Sequence, residues 1–279
     1  VRGDRLTSIW AAFVIFIGMA VLASVPAVIV AVIMSRALTG SSGIVITTSG
    51  GMRTSTLILE LSVLWTLVFT PIMSLAVLLV PPIRRAVRWN GGLGIRLKTV
   101  ARGMRVKGNS RLASWLKAFG IGVGTAVIIF LILQGAGLLA GLVAPSGGGA
   151  RSNKSTQEII DAVKSGSIWV KILLILLSGV LIPIVEEVVF RGVIARSWAA
   201  LTHTRRGRIM SFLGSGLIFA LAHIMSTDLS FSSATILTIL ITWILGSILS
   251  FYVDRWKTLW PGIFTHVAYN TGSMILAVL

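Results

Sequence analysis

Long apolar runs separated by short polar clusters dominate the chain. A spanning helix needs about 20 predominantly apolar residues. The runs at 8–34, 55–80, 118–144, 169–195, 209–226, 233–253 and 258–279 reach or approach that length. Pro81-Pro82 stops the second, and Pro145 with Gly147-Gly148-Gly149 stops the third. The first run is too long for a signal-peptide core and reads as a span. The pattern therefore predicts an all-α fold: a polytopic transmembrane helical bundle of about seven spans. Several runs exceed the minimum, so tilt or extension beyond the bilayer is expected. The chain divides into a three-span region at 1–168 and a four-span core at 169–279.

Composition agrees. Of 279 residues, 55% are hydrophobic and 12% charged, about half the roughly 25% charged of a soluble domain. Mean hydropathy is +0.94. These values exclude a soluble globular domain, a disordered chain and a charged coiled coil. The net charge of +17 reads in this setting as basic loops held against anionic lipid, and not as a nucleic-acid surface. Loop 83–117 carries ten basic residues and no acid, and 196–208 carries four. With the N-terminus inside, inside segments hold 18 basic residues and outside segments five, so the seven-span reading places the N-terminus inside. In a bacterium this would be a multi-pass protein of the cell membrane. Loop 83–117 also interleaves Ile83, Val87, Val100, Met104, Trp115 and Leu116. It is either a helix lying on inner anionic headgroups or a solvated basic loop. The Gly/Ser/Lys-rich 146–168 reads as an external loop, and Gly137 and Gly141 as a close-packing GxxxG. The absence of cysteine excludes disulfides, thiolate metal sites and cysteine nucleophiles.

Ionisable groups inside a bilayer are costly and mark function. Glu60, Lys171, Glu186, Glu187, Arg191, His223 and His266 fall within the predicted spans, six of them on the last four. Glu187 and Arg191 are spaced i, i+4 and can pair within one helix. Glu186 points about 100° away and is left unmatched. His266 and Asn270 share a face, and His223 follows Phe219-Ala220-Leu221-Ala222. The depths agree only in part. Glu186 and His266 fall in the inner half of the bilayer, whereas His223, about 21 Å along its run, stands further out. Tilt or helix extension would close that offset.

Two chemistries fit these groups. Glu186 can take a proton from a water that His223 orients, with His266 and Asn270 donating to the developing oxyanion. Alternatively Glu186, His223 and His266 can be three ligands of a catalytic zinc with an open fourth position.

The ordered set EExxxR (Glu186, Glu187, Arg191), FxxxH (Phe219, His223) and HxxxN (His266, Asn270) resembles the CAAX-protease and bacteriocin-processing family over roughly 169–279. The resemblance implies a glutamate-dependent intramembrane endopeptidase acting on a membrane-associated peptide or protein near the cytoplasmic face. It implies that Glu186 and His223 activate water, that His266 and Asn270 stabilise the oxyanion, and that Glu187, Arg191 and Phe219 are structural supports. The family has been described both as metalloproteases and as metal-independent. Asn270 suits an oxyanion role and not a zinc set, so no cofactor is favoured, with zinc as the alternative.

The remaining polar residues have plainer readings. Glu60 reads as an interfacial or interhelical partner, Lys171 as snorkelling outward, and Trp256 and Trp260 as interfacial anchors. Gln134 suggests an interhelical hydrogen bond, His203 an exposed loop position, and Ser215 a small packing residue. Two other functions compete with proteolysis. One is a non-catalytic immunity or scaffold role that binds a peptide toxin or a membrane partner. The other is a proton-relaying transporter, disfavoured by the lack of an internal repeat.

Overall fold

The computed structural model describes residues 7, 9–10, 13–14, 81, 111–143, 168–202, 204–224 and 233–278. Among them are five helical rods. α1 is Arg111–Val143. α2 runs over 168–199 and changes pitch along its length: α-helix Ile168–Leu174, π-helix Ile175–Leu181, α-helix Ile182–Glu186, π-helix Glu187–Ala195 and α-helix Arg196–Ala199. α3 is Arg205–Ile224, α4 Ser233–Trp256 and α5 Trp260–Val278.

The all-α reading stands, but the count of about seven spans is corrected. Among the described residues, three helices are long and apolar enough to cross a membrane: Leu112–Gly135, Lys171–Ala199 and Ile239–Trp256. They make this an integral, multi-pass membrane protein. The predicted spans 209–226 and 258–279 are helices, α3 and α5, that fall outside this set. α3 begins with Arg205, Arg206 and Arg208 and carries Ser211, Ser215 and His223. α5 carries Thr265, His266, Tyr269, Asn270, Thr271 and Ser273. Their inner faces carry polar groups in place of apolar ones. The predicted spans 8–34 and 55–80 lie almost wholly outside the described residues, as do Glu60, His203, the segment 146–167 and most of the basic loop. The N-terminus-inside orientation, counted over seven spans, loses its basis. The last part of loop 83–117 is not a headgroup helix. Residues 111–117 are the first turns of α1, and Trp115 packs on Trp260 with ring centroids 4.6 Å apart.

Glycines let the rods approach. A Cβ on Gly216 of α3 would overlap Ser247 Oγ and lie 2.7 Å from Ser247 N on α4. A Cβ on Gly246 would lie 2.9 Å from Gly216 Cα. The two backbones thus meet glycine on glycine, as small residues permit between membrane helices. Across the same contact, the Ser215 and Ser250 hydroxyls are 2.8 Å apart, which gives Ser215 the packing position its size suggests. α1 lies on α5 in the same manner, since a Cβ on Gly122 would overlap Phe264 Cβ. Thr125 Oγ1 and the Tyr252 hydroxyl, 2.6 Å apart, tie α1 to α4.

Pro183 explains one polar contact inside α2. Proline has no N–H, so an α-helical partner for the carbonyl four residues earlier, Gly179 O, is missing. A buried carbonyl needs another donor, and the Thr271 hydroxyl of α5 supplies it at 3.1 Å. Gly179 makes room: a Cβ there would lie 2.7 Å from Thr271 Oγ1. This bond sets α5 against α2 one residue beyond Asn270.

Candidate active site

The second π-helical segment of α2 opens at Glu187, so the first turn of widened helix carries the motif carboxylate. Such segments recur at functional sites because they re-aim side chains out of the regular spiral. Glu187 and Arg191 are both fully buried, and Arg191 Nη1 is 2.9 Å from Glu187 Oε1. The approach is off the line of a hydrogen bond, so charge carries the attraction. The guanidinium also covers the Phe219 ring, Cζ to centroid 4.0 Å. Gly246 of α4 lets Arg191 in, since a Cβ there would stand 3.2 Å from its Nη2.

His266, on α5, sits between the two carboxylates. Its Nδ1 is 3.0 Å from Glu187 Oε1, and its Nε2 is 3.5 Å from Glu186 Oε2. Glu187 is 0% exposed against 13% for Glu186, so Glu186 is the carboxylate within reach of solvent or substrate. Gly262, one turn before His266, lets the α5 backbone come up against Glu187: a Cβ there would be 3.0 Å from Oε2.

Phe219 joins the second histidine to this group. Its ring is edge-on to His223 at 4.4 Å and to His266 at 5.7 Å, and it meets Phe190 at 5.0 Å. Its backbone carbonyl accepts from His223 Nδ1 at 2.9 Å. A proton on Nδ1 makes Nε2 the acceptor of the neutral ring. α2 runs to Ala199, past the predicted 195, and α3 starts at Arg205, ahead of 209, so both rods lengthen equally at that end, and the Phe219 ring is what bridges the two histidines. Asn270 lies one turn beyond His266 and is partly buried. Among the described residues no hydrogen bond joins it to Glu186, Glu187 or His266.

Among the described residues no group of three or more His, Cys, Asp or Glu is placed to hold a metal ion. Both Nδ1 atoms are engaged, with Phe219 O and with Glu187. The Glu187–His266 contact was not read from the sequence, nor were the openings at Gly246 and Gly262. Gly262, His266 and Asn270 form an i, i+4, i+8 stripe on α5, and that spacing was the available signal.

The arrangement is that of a helical membrane protein with a buried carboxylate–imidazole cluster shared by α2 and α5, with Phe219 of α3 packed against it. Residues 167–272 match the family model described as Type II CAAX prenyl endopeptidase Rce1-like, so that part of the chain is a Rce1-like CAAX-protease domain. The match spans all three motifs. No curated protein and no solved structure matches the chain.

Proposed function

We propose that the chain is an intramembrane endopeptidase in which Glu186 is the general base. The observation that supports this reading most is the pair of contacts on His266. Its Nδ1 meets a fully buried carboxylate, while its Nε2 faces the more accessible Glu186 at 3.5 Å. Base and donor thereby stand side by side.

In the proposed reaction, Glu186 takes a proton from water as the water oxygen bonds to the scissile carbonyl carbon. His223 Nε2 orients that water. The oxyanion accepts from His266 Nε2–H and from the Asn270 amide. Collapse breaks the C–N bond, and the proton held by Glu186 passes to the leaving nitrogen. Arg191 and Glu187 hold His266 and take no part in proton transfer. The substrate class is a membrane-associated peptide or protein, with a prenylated tail among the first to test. The end of the bundle carrying Arg205, Arg206 and Arg208 is the one that the positive-inside rule makes cytoplasmic.

The test is cleavage of a quenched peptide library, prenylated members included, by detergent-purified protein beside Glu186→Gln. Cleavage by the wild type alone supports the reading, and its persistence in a chelator supports the metal-free form. Loss in chelator with recovery on added zinc would replace that form with the metal-dependent one. No cleavage by either folded protein would favour an immunity or scaffold role.

A further inference from the structure

We propose that a cavity of about 290 Å³ where α2, α3 and α4 end binds the phosphate of an anionic lipid headgroup, held by Arg196, Arg208 and Lys257. The cavity lies beyond the Glu187–Arg191 pair, starting one turn further along α2 at Ala195. Its charged lining is three cations and one carboxylate, Asp254. Lys257 Nζ is 2.8 Å from that carboxylate and Arg208 Nη1 4.0 Å, so one acid faces two cations and two positive charges are in formal excess.

Three observations point to a lipid phosphate. The first is level: two of the candidate spans stop here, at Ala199 and Trp256. The end of an apolar span is where headgroups lie, and basic pockets between helices at that depth suit anionic ones. The second is size. The volume is close to the lower limit of about 300 Å³ for small-molecule pockets, suited to a headgroup and not to a whole lipid. The third is an apolar exit. Phe212 lines the cavity and meets Phe251 at 6.1 Å, and Phe251 is 46% exposed at the bundle surface. An acyl chain can leave along that pair while the phosphate stays with the cations.

The backbone at the rim supplies a clean variant. Lys257 has φ +53, a left-handed conformation that costs a side-chain-bearing residue energy and suits glycine. Its N–H closes the end of α4 on Val253 O at 2.8 Å. Lys257→Gly therefore removes a cation while relaxing the turn.

The experiment is thermal unfolding of the purified full chain titrated with short-chain phosphatidylglycerol, phosphatidylcholine or glycerol phosphate. The anionic lipid should raise the midpoint and the zwitterionic lipid should not. Arg208→Gln with Lys257→Gly should weaken the apparent affinity about tenfold or more, and Asp254→Asn should strengthen it. Equal responses to both lipids, or an unchanged affinity in the double variant, would overturn the site. A rise with glycerol phosphate as large as with the lipid would overturn the lipid as source and leave phosphate as the ligand.

Discussion

His266 on α5 and Glu187 on α2, 79 positions apart, meet at 3.0 Å with both side chains buried. Glu187 thus touches a histidine and an arginine through the same oxygen. The contact joins the helix of the paired carboxylates to the helix of His266 and Asn270, and it divides the labour of the two glutamates. One is locked in the bundle and the other faces the imidazole from its more open side.

Breaking the lock should cost stability before it costs chemistry. Arg191→Leu leaves a fully buried carboxylate without its guanidinium, a change worth about 3–5 kcal/mol. The expected outcome is a large fall in the midpoint of thermal unfolding in detergent. A midpoint unchanged from wild type would show that the pair is not what holds Glu187.

Gly262→Ala places a methyl 3.0 Å from Glu187 Oε2. The carboxylate must give by a few tenths of an ångström, and His266 moves with it. Misplacement by 1 Å can cost about a hundredfold in rate, so a several-fold loss of cleavage is expected with the fold retained. Full activity would mean that the carboxylate position is not critical.

Two further glycines make a matched pair. Gly216→Ala drives a methyl into Ser247 at the α3–α4 crossing, and overpacking of this kind costs about 1–3 kcal/mol. Gly120→Ala on α1 meets nothing within 4 Å and should be neutral or stabilising by about 0.5–1 kcal/mol. Unfolding midpoints of the two variants measured side by side should move in opposite directions or differ by several degrees.

Thr271→Val removes the donor to Gly179 O, whose α-helical partner would have been the absent N–H of Pro183. An unsatisfied buried carbonyl costs about 1–3 kcal/mol. A drop of that size is expected, whereas Thr271→Ser, which keeps the hydroxyl, should lose much less. Equal losses in both would assign the effect to the lost methyl.

What was legible in the sequence was local. Glu187 and Arg191 at i, i+4 form the expected pair, and His223 bonds the carbonyl of Phe219 four residues back, because helical spacing alone dictates both. What was not legible depends on which helices meet. Glu187–His266 joins two rods, and no periodicity within either predicts their juxtaposition. The same holds for Gly216 on Gly246 and for Thr271 on Gly179, although Pro183 inside an apolar run was a visible sign that one carbonyl would need an outside donor. The span count failed for a related reason. α3 and α5 are long enough to look like spans, but they give inward positions to hydroxyls, histidines and an amide, and that use lowers the apolarity by which a span is recognised.

The division of labour between the adjacent glutamates is tested most directly by comparing Glu186→Gln with Glu187→Gln. Peptide cleavage and thermal unfolding would be followed on the same preparations. Glu186→Gln should abolish cleavage with a midpoint near that of wild type, while Glu187→Gln should lower the midpoint by several degrees. Cleavage surviving in a folded Glu186→Gln protein would contradict the assignment of the base.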